Sequence, residues 1–120
     1  MDKVHPNGNI TYTAAAAIAK GNPVKFSTGK VTPCTAANDQ AIGIALDSAA
    51  QGDIVPVAIL GCFTGTVQLK AGGAISAGAQ ITAAATATSA ATDVIIGVAL
   101  EAASASGDMI EIAHQVGQVK

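Results

Sequence analysis

Two stretches of this chain carry matching residues in the same order. Gly43-Ile44-Ala45-Leu46-Asp47, followed by Gly52-Asp53, returns as Gly97-Val98-Ala99-Leu100-Glu101, followed by Gly107-Asp108. Upstream, Ile18, Gly21 and Val24 stand at a spacing that Ile75, Gly78 and Ile81 repeat. A self-similar chain folds as copies of one supersecondary unit, and each copy needs the other to bury its apolar face. Each block has a physical reading. The spaced Ile, Gly and Val or Ile make a turn into a strand, with glycine supplying positive φ. Gly-Ile/Val-Ala-Leu is a short buried strand whose small residues admit a close neighbour. Gly-Asp turns the chain into the next strand, and the Asp carboxylate can accept local backbone N–H groups. Gly21, Gly29, Gly52, Asp53, Gly78, Gly107 and Asp108 are therefore expected to be structural turn residues. The repeat predicts an all-β domain, a small β-sandwich or barrel-like fold with internal pseudo-two-fold symmetry. Its halves would span about 13–68 and 69–116.

Alanine, with 27 copies, pulls the other way, since it is the best helix former. Against it stand 13 Gly and 4 Pro, which cut the chain into short runs rich in Ile, Val and Thr. Strands are expected at 9–13, 23–27, 30–32, 41–46, 54–60, 63–69, 79–82, 94–100 and 109–114. Ser27-Thr28-Gly29-Lys30 reads as a tight hairpin turn. Pro56 cannot donate to a ladder, which predicts an edge strand or a bulge there. The best helix candidate is 13–20, ending at Gly21, although so short a helix is marginal alone. The tract 83–92 has no large side chain and is expected to be a weakly ordered loop or extended link.

A chain of 120 residues fits one domain with a modest core. Its only aromatic residues are Tyr12, Phe26 and Phe63, and only 12% of residues are charged. So uncharged a surface suits a protein whose exterior meets other protein. The net charge of −2, the absence of Arg and the scattered lysines argue against nucleic acid. No apolar run approaches the roughly 18 residues that a membrane span needs. Residues 1–6 lack the apolar stretch of a secretory leader, so synthesis in the cytoplasm is expected. Cys34 and Cys62 are then expected to be free thiols rather than a disulfide.

Little in the sequence looks like chemistry. His5 and His114 lack metal-ligand spacing, and neither cysteine has a Cys-x-x-Cys partner. Asp47 and Glu101 occupy equivalent places in the repeat, as do Asp53 and Asp108, which favours turn roles over a catalytic pair. No catalytic residue, cofactor or metal is expected, and the chain reads as no enzyme. Two other readings stay open. One is a small-ligand or carbohydrate-binding β module, which the shortage of aromatics opposes. The other is a small hydrolase using Cys62 or Cys34 with a histidine.

The run Ile18-Ala-Lys-Gly-Asn-Pro-Val24, the hairpin at Gly29, Ala41-Ile-Gly-Ile-Ala-Leu46, the run from Ala49 to Val55, Gly61 and Ala74-Ile-Ser-Ala-Gly78 together resemble one known family. These are the capsid cement, or head decoration, proteins of tailed bacteriophages, once annotated only as a domain of unknown function. The resemblance spans roughly residues 10–115 and departs from the family in its Ala/Thr-rich second half. It implies a β-rich protein bound in many copies to the outside of the head, where it stabilises contacts between major capsid subunits. The implied partners are the major capsid protein and the chain itself, as a homotrimer rather than a dimer, with no nucleic acid and no membrane. The implied location is the capsid exterior, after synthesis in the host cytoplasm. Pro6, Asn7 and Gly8 discourage helix, so residues 1–12 are expected to form an arm ahead of a single β domain at 13–120. Val4, Pro6, Asn9, Ile10 and Tyr12 would carry its contacts with capsid or neighbouring copies.

Overall fold

The computed structural model describes residues 8–62, 65–88 and 90–119. Among them there is no helix. The strands are β1 (Asn9–Thr13), β2 (Pro23–Ser27), β3 (Lys30–Pro33), β4 (Gly43–Ala45), β5 (Ile54–Ile59), β6 (Val67–Lys70), β7 (Gln80–Thr82), β8 (Val94–Ala99) and β9 (Met109–Val119). They form two antiparallel sheets, a five-stranded one in the order β1-β5-β4-β2-β3 and a four-stranded one in the order β6-β9-β8-β7. Each expected strand has its counterpart, with β4 and β6 shorter and β9 longer than read: β6 begins only at Val67, and positions 63 and 64 lie outside the described residues.

The stretches that resemble one another in sequence make the same hydrogen bonds. Ile18 and Ala49 exchange two bonds of 2.9 Å, and so do Ile75 and Ala103. The Gly21 N–H donates to the Ala45 carbonyl at 2.9 Å, and the Gly78 N–H to that of Ala99 at 2.8 Å. Leu46 N–H donates to Pro56, and Leu100 N–H to Glu111, at 2.9 and 3.0 Å.

Residues opposite one another on paired strands point to the same face. Ala45 and Val57 therefore share one face of the first sheet, and Ile44 and Ala58 the other. Both faces are buried. The first face closes over a small core of Ala14, Ile18, Val24, Val31 and Val55. The second joins a larger core with Leu69, Ile81, Ile96, Ile110 and Ile112 of the second sheet. Ile44 is 0% exposed and sits in the seam between the sheets.

Sheet borders are largely occupied. A parallel bridge between Ala14 and Val31 brings the outer strands β1 and β3 together, with Ala15 N–H donating to the Val31 carbonyl at 2.7 Å. At the end of β6, Lys70 N–H donates to the Gly21 carbonyl at 3.0 Å. Along β7, Ile81 bridges Ala87 and Thr82 N–H donates to Thr86 at 2.8 Å.

Three expectations are corrected. Segment 13–20 is not a helix, because the N–H groups of Ala14, Ala15 and Ile18 bond to Asp53, Val31 and Ala49, all distant in sequence. Tertiary burial of Ala14 and Ile18 overrides the local preference of alanine. The described part of 83–92 is a loop, as expected, but not a weakly ordered one: Ala83 and Ala85 are buried, and Ala85 takes a positive φ of 62° to close the turn from Thr82 to Thr86. Pro56 is neither on an edge nor at a bulge, since β5 lies between β1 and β4 in unbroken register. Its carbonyl accepts from Leu46, so its missing N–H lies on the side where β4 ends at Ala45 and forgoes only the return bond to Leu46.

Candidate interaction surface

A turn of one design recurs four times, as Ala36–Asp39, Ala50–Asp53, Ala90–Asp93 and Ala105–Asp108. In each, the Ala N–H donates to the Asp carboxylate, and the Asp N–H returns to the Ala carbonyl. The turns precede β4, β5, β8 and β9 and aim them. Asp53 and Asp108 were legible as equivalents; Asp39 and Asp93 were not, although the Ala-x-x-Asp spacing was there to find.

The Asp39 carboxyl lies below its ordinary value of 3.8, chiefly through the Ala36 N–H, with Lys25 helping at 3.0 Å. Asp108 is lowered from 3.8 by the Ser104 hydroxyl and N–H and the Ala105 N–H. A carboxylate with a depressed folded pKa stabilises the fold above its unfolded value, and that stability goes as pH falls through the folded value. Urea midpoints are therefore expected to be flat above about pH 5 and to drop below pH 4. The Asp39→Asn and Asp108→Asn variants should flatten that drop.

The expected contact residues divide. Val4 and Pro6 lie outside the described residues. Asn9, Ile10 and Tyr12 belong to β1, in register with Ala58, Val57 and Val55 of the same chain. Residues 9–12 of the expected arm are thus a sheet strand. Gly21, Gly29, Gly52, Gly78 and Gly107 have φ between 78° and 95°. With Thr28 at 52° and Gly29 at 78°, the β2–β3 hairpin has the two successive positive φ values of a type I′ turn. Gly21 also needs its lack of side chain, because a Cβ there would stand 2.8 Å from the Lys70 nitrogen.

Sequence reasoning did not foresee the aromatic pair. Tyr12 on β1 and Phe26 on β2 meet edge to face, centroids 5.4 Å apart at 81°. Phe26 is nevertheless 54% exposed, near the hairpin tip. Paired aromatics with open faces are strong anchors for a protein partner. Other large apolar side chains left open are Ile54, Leu100, Met109, Val116 and Val119.

His114 accepts from the Gly61 N–H at Nδ1 (3.0 Å), so its proton sits on Nε2, 3.1 Å from the Gly65 carbonyl. That is a tether between β9 and the loop before β6. His5 lies outside the described residues. Among the described residues no three His, Cys, Asp or Glu side chains converge as a metal site, and no helix is long and apolar enough to cross a membrane. A cavity of about 530 Å³ lies between Ala14, the tip residues Ser27, Thr28 and Lys30, and the turn at Gln51–Gly52, with no aromatic ring in its lining.

Cys34 and Cys62 are both free. Burial pushes the Cys34 thiol up to about 12, with Asp39 adding to the shift. Cys62 is exposed. A maleimide reagent should modify Cys62 in the native protein and reach Cys34 only after denaturation. Equal labelling by intact mass would contradict this structure.

Two sheets with turn-capped strands, and aromatic and aliphatic side chains left open on their surface, define a small all-β domain with apolar contact surface. Residues 4–114 match the family described as phage cement protein, and the chain belongs to that family. Its role is a structural one in the phage capsid. No curated protein matches the sequence. The crystal structure of the head fiber gp8.5 N base of bacteriophage phi29 is similar in fold, with a TM-score of 0.68. The two are 18% identical, and the match covers 93% of this chain and 97% of that one.

Proposed function

We propose that this chain decorates the outside of a phage head, where it binds the major capsid protein and holds neighbouring subunits together. The family match over residues 4–114 carries the reading. The physical mechanism is linkage: a protein that binds the assembled lattice better than its separated parts stabilises the lattice by mass action. Modest contacts suffice when several act at once through a homotrimer. The weak negative charge and lack of arginine speak for a protein partner and against nucleic acid. Equivalent hydrogen bonds around Ile18 and Ile75 support a duplicated unit as its scaffold. Made in the host cytoplasm, it joins the shell from outside.

Purified heads lacking the protein supply the test. Saturable co-sedimentation and a raised disruption temperature are expected. Heads that neither bind it nor change stability would defeat the proposal. Residues 1–7 are proposed to reach the shell as an arm ahead of β1. Gly8 stays outside this arm, because its carbonyl accepts the Ile59 N–H at 2.9 Å. Removing residues 2–7 should lower occupancy while leaving the fold intact, and unchanged occupancy would dispose of the arm.

A further inference from the structure

The two halves build the same cavity twice. In the first half Ala14 N–H donates to the Asp53 carbonyl at 2.8 Å, Gly52 N–H to that of Ala14 at 2.8 Å, and Ala15 N–H to that of Val31 at 2.7 Å. In the second half Ala71 donates to Asp108 at 2.8 Å, Gly107 to Ala71 at 2.7 Å, and Gly72 to Ala85 at 2.8 Å. Ala14 and Ala15 line the cavity of about 530 Å³ beside Gln51 and Gly52. Their counterparts Ala71 and Gly72 line a second cavity, beside Ala84, Ala85 and Ser106, of only about 180 Å³.

The difference is a plug. The second cavity is also lined by Asn22, Pro23 and Cys34, which come from the first half. The turn that carries Asn22 and Pro23 is anchored on the edge of β6, where Lys70 N–H donates to the Gly21 carbonyl at 3.0 Å. Only a glycine comes that close, since a Cβ on Gly21 would meet the Lys70 nitrogen. Pro23 is buried and has no N–H to leave unpaired. The counterpart of Lys70 is Thr13, one residue before Ala14. Ala14 bonds to Asp53 beside β5, so the Thr13 N–H points away from β5, as alternate residues of an antiparallel pair do. Among the described residues no turn of this chain bonds to that N–H, and the first cavity stays open.

We infer that the open cavity is a socket for a tight turn of the major capsid protein, seated on Thr13 as the 21–23 turn is seated on Lys70. The seated example sets the chemistry of the occupant. It offers a glycine whose carbonyl accepts the edge N–H, and a proline two residues later that fills space without burying a donor. Lys30 is the one charged side chain in the lining, so a carboxylate beside the capsid turn completes the match. A second copy does not supply this turn. Its own 21–23 turn is already seated in its own second half, and the repeat counterpart, Gly78-Ala79-Gln80, has an exposed glutamine in place of the buried proline. The inference names where the capsid protein docks, and it rests on the function proposed above.

Purified heads lacking the protein, titrated with the full chain, test it. Gln51→Trp fills the cavity and Lys30→Glu reverses its charge. Both positions are exposed, so urea midpoints should hold while each variant binds heads about ten-fold more weakly. Replacing Gln51 with the photoreactive residue benzoylphenylalanine should cross-link the chain, on illuminated heads, to a glycine- and proline-containing turn of the major capsid protein. A wild type that binds heads while both variants bind equally well would overturn the inference and leave the proposed function standing. So would a cross-link to a second copy, to DNA or to a capsid segment without such a turn, and so would decorated heads that give no cross-link. A wild type that ignores heads would sink the proposed function, and this docking site with it.

Discussion

Gly97→Ala is expected to cost about 3 kcal/mol or more, a large share of the stability of a domain of this size. A Cβ at this position would stand 2.4 Å from the Ala113 carbonyl oxygen and 3.1 Å from the His114 Cα. Both are backbone atoms of β9, hydrogen-bonded in the ladder with β8, so no side chain can swing aside. The strands must part or bend. Gly43→Ala meets the Ala58 carbonyl at 2.5 Å and should behave alike. Gly52 is the control: a Cβ there meets nothing within 4 Å, so alanine strains only a backbone at φ +91°. That strain costs roughly 1–2 kcal/mol. Urea denaturation of the three variants checks the order, and a Gly97→Ala protein no weaker than Gly52→Ala would show that β8 and β9 do not lie this close.

The second large effect belongs to the seam. Ile44→Ala is expected to destabilise the protein by about 2–5 kcal/mol, the range for removing a buried isoleucine and leaving a cavity. Ile44 lies on a strand of the first sheet but packs in the core of the second. One substitution should therefore lower the midpoint of the whole molecule in a single transition. Val57→Ala, inside the smaller core, cuts away less of the side chain and should cost less. Separate transitions for the two halves in Ile44→Ala, seen by hydrogen exchange, would mean that the seam does not couple them.

Strand positions were legible because glycine and proline cut the chain into runs with period-two alternation, as in 54–60. What alternation cannot show is a sheet buried on both faces. Ala58 and Ile44 look like an outer face by parity, yet another sheet covers them. Segment 13–20 misled because alanine scores as helix wherever it stands, while the N–H groups of Ala14, Ala15 and Ile18 had partners 16 or more residues away. The tract 83–92 misled for a related reason: small side chains carry no burial signal, although Ala83 and Ala85 fit the core because they are small. The candidate surface was the least legible part. Tyr12 was singled out for its place in an arm, but its meeting with Phe26 depends on how β1 and β2 are folded together.

Occupied sheet borders would matter for a protein that, as proposed, stands in many copies on a shell. A bare border offers unpaired amides to any neighbour, and identical neighbours are the most willing recruits. Here β1 and β3 use one another, and Gly21 and the Thr86–Ala87 turn take up ends of the remaining two. Copies standing shoulder to shoulder are left with mostly side chains to touch. Spacing and grip on such an array can then evolve one residue at a time, with little risk that tighter packing seeds a fibre.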